Sequence, residues 1–475
     1  MVMPHRLKTC NGLVNPMDTR DRDELIQHIL MSETEAQVKL HNGMDPKEIR
    51  QALGPFTSET AGGIESVKSA IDAYLRLAVR TDLPEFLRAF WGGSQPASVI
   101  GSLLADVRNT TMHSFAVSPA ATIIEREMIR GIAERIGIKA NGIFTTGGSN
   151  SNELGLICAR ENLIPGSHRT GIQGHRLCVL TSDEAHYSVD SAMNRMGIGM
   201  DSIIRVPTNE GIMEPAELVE AIQRVKREGM EPLAIVSTAG STVRGAFEDL
   251  NTISNIAEEY GIWHHVDAAW GGSVLFSNQH RSMLNGIERA DSITFDAHKM
   301  LGASMVCSMF LLRNGHVLES AMAHTKKGDY LFDDPASSQS LGRISPQCGR
   351  RADALKLWLI WLDIGSEGLG QRVDYCMDIA DHMANLVRKT SEVELVSHRF
   401  TNVCIRFTPK ENETPEEGDE RVRRARNRVE HEGKAMVIDS QLDGRLVIRF
   451  VASQTSVTKD SVERFLADII NADKM

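Results

Sequence analysis

The sequence lacks paired cysteines: seven are scattered at positions 10, 158, 178, 307, 348, 376 and 404, an odd number with no CxxC spacing. That excludes a disulfide framework and a zinc site of the usual ligand spacing, and it fits a reducing, cytosolic compartment. A basic excess is also missing. With a net charge of −11 the chain has no footprint for general nucleic-acid binding. No apolar run approaches the roughly 18 residues of a membrane span, and the first fifteen residues carry no apolar core of a signal peptide. There are no internal repeats, no low-complexity tracts, no GxGxxG and no Walker loop. What is left is a cytosolic enzyme-sized chain of 475 residues with 41% hydrophobic and 24% charged residues, enough for two or three domains.

Residues 1 to about 60 are polar and broken by Gly and Pro, with one amphipathic helix predicted over 23–39. Helical spacing recurs from Ile64 to Ala89, and a further helix is predicted from Val99. From about Ile143 to Leu312 short apolar runs alternate with amphipathic stretches. The strands are Ile143–Thr145, Leu177–Thr181, Ile203–Val206, Leu233–Val236, Trp263–Val266, Ser292–Phe295 and Met309–Leu312. Helices fall at Glu153–Glu161, Pro215–Glu228 and Leu250–Tyr260. Such alternation predicts right-handed crossovers and a mostly parallel sheet covered on both faces. The stretch 326–347 is dominated by Gly, Asp, Pro and Ser and is expected to be a lid-like loop. A helix follows from about Arg350. Beyond it, Val403, Ile405 and Phe407, and then Leu446, Ile448 and Phe450, alternate as half-buried strands, with an acidic loop over 411–419 and a last helix from Lys459. Three parts are therefore expected: an arm with helices (1–90), a large domain (91–348) and a small C-terminal domain (349–475).

Several strand ends carry chemistry. Trp263-His264-His265-Val266-Asp267-Ala268-Ala269-Trp270-Gly271-Gly272 puts a carboxylate at one, and Thr294-Phe295-Asp296-Ala297-His298-Lys299 puts a lysine at another. Thr145-Thr146-Gly147-Gly148-Ser149 turns from strand into helix with bare backbone able to face a phosphate. His186 follows a third strand, and Ser237-Thr238 closes a fourth. Ligands of open α/β sheets collect where strands end. A lysine amine that can hold an aldehyde as a Schiff base, with a carboxylate that can keep a pyridine nitrogen protonated, suits pyridoxal 5'-phosphate chemistry.

With these pieces, and with Gly245-Ala246-Phe247, His280–Lys299 and Gln347-Cys348-Gly349-Arg350, the chain from about Tyr74 to Ile470 resembles the group II pyridoxal-phosphate-dependent amino-acid decarboxylases. The likeness is greatest to the glutamate, cysteine-sulfinate and aspartate branch. The resemblance implies a type I fold (aspartate aminotransferase-like): a large domain with a mostly parallel seven-stranded sheet and a smaller α+β domain. It also implies a homodimer that shares its active sites. On that resemblance Lys299 carries the cofactor and Asp267 pairs with its ring nitrogen. Ala269 and His186 lie on the two ring faces, Thr238 lies at the ring edge, and Gly148, Ser149 and His298 hold the phosphate. Tyr330 corresponds to the lid tyrosine that returns a proton to the substrate carbon, and Arg449 to the arginine that receives a substrate carboxylate.

The substrate is expected to be an acidic L-amino acid (aspartate, cysteine sulfinate or glutamate). Here the sequence departs from the resemblance. The family's Phe-Asn-Gln-Leu segment is set against Phe90-Trp91-Gly92-Gly93-Ser94-Gln95, leaving Gln95 as the nearby glutamine. Its Asn-Thr-Asn-Met-Phe run reads Asn109-Thr110-Thr111-Met112-His113, which makes Thr111 and His113 specificity candidates. The alternatives are an aromatic or basic substrate such as diaminobutyrate, decarboxylation coupled to oxidative deamination, and a non-catalytic paralogue that acts as an interaction protein. The presence of Tyr330 counts against oxidative deamination, and that of Lys299 and Asp267 against the paralogue.

Overall fold

The computed structural model describes residues 19–32, 40, 43, 45–57, 59, 62–323 and 337–474. Its centre is a seven-stranded sheet: β1 (Asn141–Thr145), β2 (Leu177–Ser182), β3 (Ile203–Val206), β4 (Glu231–Thr238), β5 (Trp263–Ala268), β6 (Ser292–Asp296) and β7 (Ser308–Leu312). The spatial order is β1-β7-β6-β5-β4-β2-β3. Only β7 runs against the others, antiparallel to both β1 and β6. All seven strands lie where hydrophobic alternation placed them. Their buried, near-continuous apolar character follows from helices on both faces. Each parallel strand ends at the same sheet edge, and the register aligns Thr238 with Asp267 and Asp267 with Thr294 across three neighbours.

The helix after β1, Gly148–Leu163, starts at Gly148, earlier than the Glu153 of the sequence expectation. The helix expected over 64–89 stops at Leu77. After it the backbone of residues 85–87 pairs with Met436, through Leu87 N–H to Met436 C=O (2.9 Å) and Met436 N–H to Glu85 C=O (2.9 Å). A long-range pairing thus overrides local helical spacing. At the N-terminus the observed helix is Thr19–Ser32, and the rest of the expected 23–39 stretch lies outside the described residues.

A second, antiparallel sheet comprises β8 (Val393–Arg399), β9 (Asn402–Phe407), β10 (Ile438–Leu442) and β11 (Arg445–Val451), ordered β8-β9-β11-β10. The helix Ala354–Arg388 begins four residues later than Arg350 and is interrupted at Gly365, where φ is 64°. The acidic stretch over 411–419 is only partly a loop. Thr414 and Glu417 form a reciprocal cap, and the helix Pro415–His431 starts inside it with Glu416 and Glu417 in its first turn, where carboxylates face the positive end of the helix dipole. One apolar core runs continuously from Val266, Ile293 and Met309 of the large sheet through Leu369 and Val373 to Val403, Ile448 and Phe450 of the small one. No helix among the described residues is long and apolar enough to cross a membrane.

Candidate active site

The strand ends open into one cavity of about 750 Å³. It is lined by Gly148, Ser149, His186, Thr238, Asp267, Ala269, His298, Lys299 and Arg449, so nine of the residues singled out in the sequence meet there. Gly148 is a glycine for a spatial reason. A Cβ at this position would stand 2.8 Å from Asp296 Oδ2 and 3.3 Å from Ala269 Cβ. The first turn of helix Gly148–Leu163 therefore presents bare backbone to the cavity, an arrangement suited to a phosphate.

Lys299 is the only lysine on the cavity wall among the described residues. Its Nζ lies 3.4 Å from Asp296 Oδ2, and Asp296 also accepts a hydrogen bond from the Ser308 hydroxyl. His298 rests its Nδ1 against the Cys307 backbone and turns Nε2 toward Asp296 Oδ2 at 3.6 Å. Asp267 accepts the Ala269 N–H on Oδ1 (3.1 Å) and the Asn152 amide on Oδ2 (2.7 Å). His186 accepts the Ser188 N–H on Nδ1 (3.2 Å), which leaves Nε2 as the position for its proton, and the Tyr187 ring lies beside it at 4.3 Å. Burial holds the His186 imidazole below the ordinary histidine range, against the opposing pull of Asp267, so it is neutral at physiological pH.

At the other end of the cavity the Arg449 guanidinium is clamped by the carbonyls of Thr242 (2.8 Å) and Arg88 (3.0 Å) and lies 4.9 Å over the Phe90 ring. Burial lowers its pKa to about 10, which leaves it a cation at neutral pH. The same ring faces Lys299 Nζ at 5.6 Å, so Phe90 stands between the lysine and the arginine. Arg88 is a second arginine on the wall, partly exposed and paired with Glu430 only at 3.4 Å.

Three of the residues singled out in the sequence lie elsewhere. Gln95 lines a separate open pocket with Arg372 and Thr455. Thr111 bonds to the backbone at Cys348 and Arg350, and His113 is buried against Gly342. Within one chain none of the three lines the Lys299 cavity. The segment that does enter it is Arg88-Ala89-Phe90-Trp91, seven residues ahead of Gln95 at its start. Tyr330 lies outside the described residues.

Sequence reasoning missed Asn152, Asp296 and Arg88 as site residues. Asn152 is four residues beyond Gly148, hence on the same helix face, and Asp296 ends its strand as a carboxylate just as Asp267 does. Both signals were available. Arg88 had none, because its place depends on the pairing of residues 85–87 with Met436.

Behind Thr238 lies a buried acid. Glu248 Oε2 accepts the Thr238 N–H at 2.7 Å, and burial pushes the carboxyl up to about 8. In the unfolded chain it ionises near the usual glutamate value of about 4.3. Between those values the folded protein holds a proton that the unfolded chain has released, so this contribution is greatest at low pH and is lost as pH rises through 8. Stability should therefore fall between pH 5 and 8 by up to about 1.4 kcal/mol per unit from this group and level off above that range. Glu248→Gln, a neutral isostere, should flatten that decline; parallel melting-temperature profiles for the two proteins would contradict it.

Residues 46–408 match the family described as the pyridoxal-dependent decarboxylase conserved domain. The chain is 36% identical over 374 residues to an L-aspartate decarboxylase, dtxS4, of Metarhizium robertsii, which spans 77% of this chain and 74% of that one. It is 33% identical over 392 residues to the cysteine sulfinic acid decarboxylase of Homo sapiens, spanning 81% and 79%. A crystal structure of mouse CSAD superposes with a TM-score of 0.91 at 28% identity, over 96% of this chain and 99% of that chain.

Proposed function

The chain belongs to the pyridoxal-dependent decarboxylase family, and from that premise we propose that it removes the α-carboxylate of an L-amino acid bearing a second acidic group. Aspartate, cysteine sulfinate and glutamate are the candidates, with the amine and carbon dioxide as products. The fold is the type I pyridoxal-phosphate architecture, and the cofactor is pyridoxal 5'-phosphate. The observation that carries the substrate reading is that Lys299 and two arginines, Arg88 and Arg449, share the walls of one cavity.

The cavity fits the cofactor: a bare helix N-terminus for the phosphate, a buried carboxylate, and Lys299, the one lysine among the described lining residues. When bound, the cofactor supplies an electron sink for the pair left behind by carbon dioxide. In this reading Lys299 would be the attachment point, and Gly148, Ser149 and His298 would hold the phosphate. Asp267 would pair with the ring nitrogen, and Ala269, His186 and Thr238 would line the ring. Neutral His186, with its proton on Nε2, can donate toward the substrate from that face; Tyr330 is the second proton source. Wall residues such as Phe90 and Trp270 keep water from the reacting carbon.

The distal acid group would meet the two arginines. Arg449 is fixed by two backbone carbonyls, while Arg88 has only a long ion pair to give up. Arg88→Gln is expected to raise KM for aspartate or cysteine sulfinate about tenfold or more with little change in kcat, since loss of a charged hydrogen bond costs roughly 1.5–3 kcal/mol. A panel of acidic, aromatic and basic amino acids, read out as carbon dioxide and amine, tests the function itself. Turnover confined to aromatic or basic substrates would overturn the acidic reading.

For its assembly we propose a cytosolic homodimer. Val99, Ile100, Leu104 and Val107 leave an apolar stripe exposed on helix Pro96–Arg108. Met305, itself exposed, lines the cavity, so a second copy that covered this side would also close the site. The three-part division at residues 90 and 348 is retained as a proposal.

A further inference from the structure

Behind Asp267 runs a file of buried polar groups whose hydrogen bonds can all run in one direction. It begins at the Trp263 indole, which can only donate, and does so to Ser292 Oγ at 2.9 Å. The Ser292 hydroxyl is then free to donate to His265 Nδ1 at 2.8 Å. Full burial keeps His265 neutral, pushing its pKa down. With Nδ1 accepting, its single proton sits on Nε2, which lies 3.0 Å from Asn152 Oδ1. Thr294 donates its hydroxyl to the same oxygen at 2.6 Å, and the same hydroxyl can accept from His265 Nε2 at 3.3 Å. The oxygen of the Asn152 amide is thereby claimed on one side. Its NH₂ must face the other side, where it donates to Asp267 Oδ2 at 2.7 Å and Ser188 Oγ at 2.8 Å.

We propose that Asn152 is the positioning residue for Asp267, and that the file Trp263–Ser292–His265, with Thr294, fixes the amide so that this carboxylate meets only N–H donors. A flipped amide would set its carbonyl against the Asp267 carboxylate and its NH₂ against the His265 N–H, whereas the Thr294 and Ser188 hydroxyls can serve either orientation. Those two contacts would become like against like between buried groups, where an unpaired polar contact is costly. Asn152 is 2% exposed, His265 and Thr294 are fully buried, and Ser292 is 1% exposed.

Gly155 supports the assignment independently. It sits in the interior of helix Gly148–Leu163, where glycine costs about 1 kcal/mol relative to alanine. A Cβ there would collide with the His265 ring, so the helix gives up a side chain to admit the imidazole. The file is thus paid for in helix stability. Its effect is to hold the Asp267 carboxylate in a single orientation toward the cavity.

This inference rests on the reading of Asp267 as the partner of the cofactor's ring nitrogen, and the test separates the two. Apo-protein is titrated with pyridoxal phosphate by fluorescence, and the visible absorption of the loaded protein is followed from pH 6 to 9. Groups that orient metal ligands in this way are worth about 10–100-fold in affinity, and a similar factor is expected here. Asn152→Leu should bind the cofactor more weakly by a factor in that range and lower kcat more than it changes KM. Asn152→Asp places a second carboxylate against Asp267, so one of the pair takes up a proton. Its cofactor affinity and absorption should then acquire a pH dependence that the wild type lacks.

If either variant folds with a wild-type melting temperature yet keeps wild-type affinity and spectrum, the inference is overturned. Should both fail to fold, Thr294→Val carries the same test with an isosteric change. It removes one of the two donors to the amide oxygen, and unchanged cofactor affinity would count against the proposal. Failure of the wild-type protein to bind pyridoxal phosphate would instead strike the underlying reading of Asp267.

Discussion

Lys299→Ala is expected to lower decarboxylation by at least about three orders of magnitude, the scale on which an activated covalent centre contributes. No other lysine lines the cavity among the described residues. The fold should survive. Lys299 is partly exposed and its ammonium makes a single ion pair, with Asp296 at 3.4 Å, whose carboxylate keeps the Ser308 hydroxyl as a partner. A melting temperature close to wild type, with loss of turnover and of the yellow colour, is the expected outcome. Substantial turnover in a purified variant would place the reaction elsewhere.

The second large effect concerns Asp267. Replacing it by asparagine removes the anion and also creates a local conflict. Both carboxylate oxygens now accept N–H groups, one from Ala269 and one from Asn152. An asparagine at this position must turn its own NH₂ toward one of these donors. Asp267→Asn is therefore expected to bind the cofactor more weakly and to lower kcat by roughly 10²–10³-fold, the range for loss of a preorganised electrostatic partner. KM for the amino acid should change little, because the distal contacts lie at the Phe90 and Arg449 end of the cavity. A kcat within threefold of wild type at saturating cofactor would contradict the role assigned to this residue.

The large sheet was legible in the sequence because its strands are short apolar runs that end in Gly, Ser, Thr and Asp. Ile203–Val206 and Leu250–Tyr260 carry the same bounds in both descriptions. What failed to show was whatever depends on distant pairing. Strand β7 reads like its neighbours, and nothing in Ser308–Leu312 says that it runs antiparallel. The strands Val393–Arg399 and Ile438–Leu442 are only half-buried, and their mixed composition hid them. Helical spacing beyond Leu77 lost to the backbone pairing with Met436, and that pairing is what brings Arg88 and Phe90 to the cavity.

The site divides in the same way. Residues placed by strand ends could be found from local pattern: Gly148, His186, Thr238, Asp267 and Lys299. Arg449 was found through the family resemblance. Gln95, Thr111 and His113 were reached by setting short segments against one another across a turn-rich stretch, where a shift of a few residues changes which side chain faces the site. Asn152 shows a different gap. It is a polar residue inside a helix, and its role becomes visible only when His265, Ser292 and Thr294 from two other strands are set beside it.

The central claim is that the amine at position 299 holds pyridoxal phosphate over the carboxylate at 267. Its most direct test is to reduce the loaded protein with borohydride, digest it, and sequence the peptide that carries the pyridoxyl group. The account requires the label on Lys299, in the peptide containing Asp296-Ala297-His298. A label on any other lysine, or no covalent label in a protein that still decarboxylates, would contradict it.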